Sequence, residues 1–196
     1  MLRVVVRHAD AVTIRRLVVL KVLLAGLLVT GALLPHVGGF AGKGMAFRLP
    51  LFLAPSLVVP VVWRHRRAEY PVALDAALTL PFLFDTLGNA FGFFDRWEHF
   101  DGVLHFVNWV VLVLGITVHL GRRPGRDPRL LFVAGAGIGA LTSIGWELAE
   151  FGVMHLGVSN LHLTYADTLA DLALSTTGGA LGARWAVAHV RPLPSG

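Results

Sequence analysis

The sequence predicts an all-α integral membrane protein: a single polytopic helix bundle over residues 1–196, with about six transmembrane helices and both termini cytoplasmic. Three observations carry that expectation. Of the residues, 55% are hydrophobic and only 15% charged, where soluble domains carry about 25% charged residues. The apolar residues fall into long runs sized for a hydrocarbon core about 30 Å thick. The 17 Lys and Arg punctuate these runs instead of gathering into one patch, so the net charge of +5 does not point to nucleic acid. Cysteine is absent, which excludes disulfides, thiolate zinc sites and cysteine nucleophiles.

The first run, Leu17 to about Leu34, follows Arg3, Arg7, Arg15 and Arg16. No small-x-small cleavage site follows it, so it reads as a retained helix, not a signal peptide. The second, about Leu49 to Trp63, contains Pro50, Pro55 and Pro60, which predicts a kink or a displaced start. The third, about Val72 to Phe93, carries Asp75, Pro81, Asp85 and Asn89. An aromatic and charged turn, Phe93 to Phe100, suits the headgroup level. The fourth run covers about Asp101 to Leu120 and stops at Arg122-Arg123-Pro124. The fifth, about Leu130 to Met154, opens with Gly135 and Gly139, a step that lets another helix approach closely. The sixth, about Ala166 to Val190, has Ser175, Gly179 and Ala183 as a second small-residue ridge.

Orientation follows from the cations. Lys43, Arg48 and Arg96 fall on one side and the remaining fourteen Lys and Arg on the side of both termini, which places the termini in the cytoplasm. The Arg, Ala, Gly and Val bias suits a GC-rich bacterial genome. With a rise of about 1.5 Å per residue, Asp85 and Asn89, Asp101 and His105, Glu147 and Glu150, and Asp167 and Asp171 all reach one depth, in the outer half of the bundle. Each pair is three or four residues apart and so shares a helix face.

Inward-facing pairs of this kind build metal sites in bundles. Six carboxylates in a low-dielectric site cannot all stay ionised, so either several carry protons or a divalent cation compensates them. Single intramembrane polar residues often only bond a neighbouring helix, at about 0.6 kcal/mol. So many acids with so few bases make a poor structural network, because unpaired buried charge is costly. Asp75, near Arg64, Arg66 and Arg67, reads instead as structural, and His65, His119 and His189 as solvated interfacial groups.

Asp101-x-x-x-His105-Phe106, Trp146-Glu147-x-x-Glu150-Phe151 and Asp167-Thr168-x-x-Asp171-Leu172 with the glycines after it resemble the signature of the YjdF-like bacterial inner-membrane proteins. The resemblance runs from about Asp85 to Gly182. It implies the topology, a bacterial cytoplasmic (inner) membrane and the motif residues, and brings no reaction with it. The family's further acid, one turn after the second aspartate, is Ser175 here.

The first functional reading is a metal-dependent membrane hydrolase. Asp85, Asp101, His105, Glu147 and Asp171 are the candidate metal ligands, with Glu150 or Asp167 as general base. Arg96, His99 and Asn89 are the candidate substrate contacts. A divalent cation acidifies bound water enough for attack on an ester or phosphoester, and the substrate class would be a lipid or prenyl phosphate drawn from the bilayer. The second reading is a cation or proton pathway through the same acids. The third is a scaffold that binds another membrane protein through the glycine ridges. The sequence leaves metal identity and oligomeric state open.

Overall fold

The computed structural model describes residues 11–66, 69–122, 125–159 and 163–189. Arg3, Arg7, Arg67, Arg123, Pro124 and Val190, used in the sequence reading, lie outside the described residues. The chain is helical, with no strand among the described residues: α1 (Ala11–Leu33), a short 3-10 turn (Gly38–Phe40), α2 (Met45–Val62), α3 (Val72–Ala77), α4 (Leu80–Ala90), α5 (Phe93–Arg96), α6 (Phe100–Leu120), α7 (Pro128–His155) and α8 (Tyr165–His189). Four of these helices, α1, α2, α6 and α7, are long and apolar enough to cross a membrane. Among the described residues α8 does not qualify despite its 25 residues, because Asp, Ser, Thr and Gly dilute its apolar side chains.

The third predicted span is not one helix. It breaks at Leu78 and Thr79 between α3 and α4. Pro81 stands in the first turn of α4; as an interior residue of a longer helix its ring would clash with the carbonyl four residues back and leave that carbonyl unbonded. The second span behaves differently. α2 runs unbroken through Pro50, Pro55 and Pro60 and starts at Met45, four residues before the expected Leu49.

The break and Pro60 are held by one polar network. Pro60 has no N–H to give the Ser56 carbonyl, and the Lys21 ammonium donates to that carbonyl instead. Lys21 Nζ also donates to Asp75 Oδ1 at 2.6 Å and to Thr79 Oγ1 at 3.2 Å, so all three ammonium protons have acceptors. Tyr70 donates to Asp75 Oδ2 at 2.6 Å, and Thr79 to the Asp75 carbonyl at 2.8 Å. Burial pushes the Tyr70 phenol up from its ordinary pKa, and the neighbouring Asp75 carboxylate pushes it further. Asp75, fully buried, is therefore paired with Lys21 of α1 and not with Arg64 or Arg66 of the loop before α3. Arg64 and Arg66 are close in sequence but stand exposed.

Two apolar clusters flank the centre. One joins Leu24 and Leu28 of α1, Phe52 of α2 and Leu83 of α4; the other joins Trp109 and Val113 of α6 with Ala183 of α8. Trp146 of α7 packs against both. Many Leu and Val face outward, among them Val22, Leu51, Leu141 and Leu181, as expected where lipid tails replace water as the surroundings.

Candidate metal centre

The site is the polar end of two small-residue stripes, with α6 packed beside them. On α7 the buried positions are Gly135, Gly139, Ser143 and Glu147, four apart throughout. On α8 they include Asp171, Ser175, Gly179 and Ala183, again four apart. The helices run antiparallel: a Cβ on Gly135 would meet Ala183 at 3.1 Å, and one on Gly139 would meet the Gly179 Cα at 3.4 Å. That register carries Glu147 to Asp171. α6 lies parallel to α8, since a Cβ on Gly102 would meet Leu174, one on Gly178 the Phe106 carbonyl and one on Gly182 the Val110 carbonyl. Backbone against backbone at these glycines draws α6 and α8 close, and Asp101 and His105 arrive beside Asp171. Close packing at one end of the stripes thus forces the acids together at the other.

His105 is the hub. Its Nδ1 is 3.0 Å from Ser175 Oγ and 3.8 Å from Glu147 Oε1, and its Nε2 is 3.8 Å from Asp101 Oδ1. The imidazole stacks on Trp109, with ring centroids 5.5 Å apart and planes 5° apart. Trp109 is held in turn by its indole N–H, which donates to the Gly139 carbonyl at 2.9 Å. Among the described residues two groups could hold a metal ion: Asp101, His105 and Asp171, and His105, Glu147 and Glu150, with the ligand atoms of each group within 4.8 Å of one another.

The donor set fits a cation on a further ground. Both carboxylate oxygens of Glu147 and Oδ2 of Asp171 are buried without a hydrogen-bond partner. The Thr168 side chain faces Glu147 without closing a bond of ordinary geometry. Buried carboxylates left this way cost free energy unless a proton or cation neutralises them.

A cavity of about 280 Å³ opens onto the acids. Asp85, Asp101, His105 and Glu150 form its polar end, and its walls continue through Leu112 and Ile116 as apolar surface. Asp85 lines this space but belongs to neither metal group; Arg48 of α2 donates to its Oδ1 at 2.7 Å and Asn89 at 2.9 Å. Asn89 is spent on that contact and on the Asp85 carbonyl. Asp167 is half-buried in the first turn of α8, where its backbone N–H donates to the capping Thr164 hydroxyl at 3.1 Å. Arg96 and His99 are exposed on the turn between α4 and α6 and do not line the cavity.

Three polar residues at the site escaped the sequence reading. Arg48 was counted only toward orientation, and its partner is 37 residues away. Ser175, read only as part of a small-residue ridge and as a departure from the family pattern, bonds His105. Asn108, whose Oδ1 is buried without a hydrogen-bond partner, lines the cavity one turn after His105. Only Asn108 left a local signal, as a polar residue three positions from a histidine in an apolar run.

A family model described as "Predicted membrane protein (DUF2238)" matches residues 16–192. The chain belongs to that family of membrane proteins, and the YjdF-like resemblance is consistent with it. No curated protein and no solved structure matches the chain.

Proposed function

Taking membership of this membrane family as the premise, we propose that the protein binds a divalent cation through Asp101, His105, Glu147 and Asp171 and acts there on an amphiphilic ester or phosphoester. The observation that carries the reading is the set of buried, unpartnered oxygens on Glu147 and Asp171. Bound cation would supply Lewis-acid chemistry and a more acidic water. The chain's own residues do the rest. Ser175 and Trp109 fix the imidazole, and Ser175 on Nδ1 leaves Nε2 toward Asp101 as the ligand nitrogen. Glu150, which lines the cavity, would accept the proton; Asp167, half-buried at the start of α8, is the second candidate. Asp85 serves as counter-ion to Arg48 in this reading, not as a ligand.

Elemental analysis of detergent-purified protein, wild type beside Glu147→Ala, tests the centre. Stoichiometric metal in the wild type and none in the variant is the expected result; no metal in either after metal-replete growth sinks it.

We also propose six crossing segments, α3 with α4 forming one and α8 another, with both termini cytoplasmic and the acids toward the outer leaflet of a bacterial inner membrane. The Lys and Arg distribution supports this orientation. The absence of cysteine makes the test clean: His99→Cys should react with an impermeant maleimide added to intact spheroplasts, and Arg64→Cys should not. The opposite pattern inverts the topology.

An ion or proton pathway is the second reading. The broken α3–α4 segment favours it, because discontinuous helices carry ion sites in transporters and Lys21, Asp75 and Thr79 sit at the break. Metal-dependent flux in proteoliposomes without substrate turnover would place it first.

A further inference from the structure

The acid centre has a second, basic side. A cavity of about 220 Å³ adjoins the first, and Phe82, Trp146 and Glu150 line both. Its polar wall is Lys43 and Arg48, facing Glu150, and the remainder is apolar, including Phe47, Leu51 and Val153. Arg48 is rigidly held: Nε donates to the Lys43 carbonyl at 2.9 Å, Nη1 donates to Asp85 at 2.7 Å, and the guanidinium lies 5.3 Å from the centre of the Phe52 ring. A guanidinium has five N–H donors in a planar fork, and these two bonds leave donors to spare. Lys43 donates to Asp95 at 2.6 Å on its exposed side, with two of its three ammonium protons remaining.

Charge and shape together select a ligand. A planar, pre-oriented guanidinium beside an ammonium matches the oxygens of a phosphate. Glu150 on the shared wall would repel that phosphate unless a cation stands beside it, and Glu150 belongs to one of the two metal groups. The apolar walls on either side match hydrocarbon and offer nothing to a free ion in water. A neutral ester would leave unused the donors that Arg48 and Lys43 keep beyond their bonds to Asp85 and Asp95.

We propose that Arg48 and Lys43 form the phosphate subsite of the metal centre, and that the substrate class is a lipid phosphate whose head bridges these cations and the bound metal while its chain lies along Leu112 and Ile116. The proposal rests on the cation-binding reading above. It names Arg48, from a helix outside the motif-bearing half of the chain, as the residue that selects an anionic head over a neutral one.

The test uses the full chain in nanodiscs loaded with Mn²⁺, with bound metal measured in every sample. Farnesyl phosphate, farnesol and inorganic phosphate are titrated while tryptophan fluorescence is followed. Farnesyl phosphate should bind at least tenfold more tightly than farnesol, and millimolar inorganic phosphate should not displace it. Arg48→Gln alone strands Asp85, so Arg48→Gln is combined with Asp85→Asn, and thermal unfolding verifies that the pair folds. That double variant should lose the tenfold preference, and Lys43→Gln should reduce it about threefold. Equal binding of farnesyl phosphate and farnesol with metal present overturns the subsite and leaves the metal centre standing. A preference for the phosphate in protein that holds no metal overturns the metal centre and leaves Arg48 standing. Displacement by inorganic phosphate at equal concentration makes free phosphate the ligand and overturns the lipid assignment, and full preference in the double variant removes Arg48 from it.

Discussion

The bundle contains two buried polar centres that solve the same problem in opposite ways. At the α3–α4 break, Lys21, Asp75, Tyr70, Thr79 and the Ser56 carbonyl satisfy one another, and both Asp75 oxygens have donors. Between α6, α7 and α8, carboxylates are brought together with a single histidine, and three of their oxygens have no hydrogen-bond partner. Both centres are enclosed by helices of one chain, so burial alone does not distinguish them. Completeness does. A closed network holds a fold together, whereas an open set of acids is complete only when something else arrives.

The largest expected effect lies at the closed centre. Asp75→Ala leaves the Lys21 ammonium buried without its carboxylate, and breaking a buried pair this way costs about 3–5 kcal/mol. For a chain of this length each kcal/mol lowers Tm by about 2–4 °C, so thermal unfolding in detergent should show a fall of about 10 °C. Lys21→Met combined with Asp75→Leu should recover most of it. An Asp75→Ala protein as stable as wild type would erase the contrast between the centres, because the network would then hold nothing.

How far the sequence revealed each centre follows from the range of its contacts. The paired acids and histidine of α6, α7 and α8 were legible because spacing of three or four fixes a helix face. The glycine ridges were visible too, but not that they continue into the acid stripes, since that needs the register of α7 against α8. The closed centre was read with the wrong partner: Asp75 binds Lys21, 54 residues away, and sequence neighbourhood pointed to the adjacent arginines. Arg48 was missed for the same reason, as was the use of Asp85 and Asn89 to hold it. The break before Pro81 had a local cause. Of the kink or displaced start expected from the three prolines of α2, the displaced start is seen, and the helix continues through them partly because Lys21 takes the carbonyl that Pro60 leaves free.

An intermediate effect is expected at the open centre, with the opposite sign in the absence of metal. Glu147→Gln removes a buried charge with no partner, so in chelator its Tm should equal or exceed that of the wild type. Added Mn²⁺ should then separate the two. A ligand at one hundred times its Kd stabilises by about 2.7 kcal/mol, so the wild type should gain several degrees and Glu147→Gln none. If Glu147→Gln in chelator falls as far as Asp75→Ala, the acids are a structural network like the other centre.

The smallest effect on stability, and the sharpest on the comparison, belongs to Ser175. Its hydroxyl bonds His105 Nδ1 at 3.0 Å, and the imidazole is separately held by stacking on Trp109. Ser175→Ala should therefore keep the ring in place and cost only about 1 kcal/mol, the usual net worth of one hydrogen bond. Its effect on the cation should be larger, because the group on the far nitrogen of a ligating histidine sets the tautomer and the basicity of the ligand. Loss of such partners lowers metal affinity about 10–100-fold. Competition against a fluorescent chelator measures this directly, and Tm in chelator measures the structural part. Ser175→Asp sharpens the result further: a carboxylate on Nδ1 adds a buried charge that should lower the metal-free Tm while restoring or tightening Mn²⁺ binding. A hydrogen bond that served only packing would move Tm and affinity together in both variants. Divergence of the two readouts is what distinguishes a centre built for a cation from one built, like Lys21 and Asp75, to hold helices.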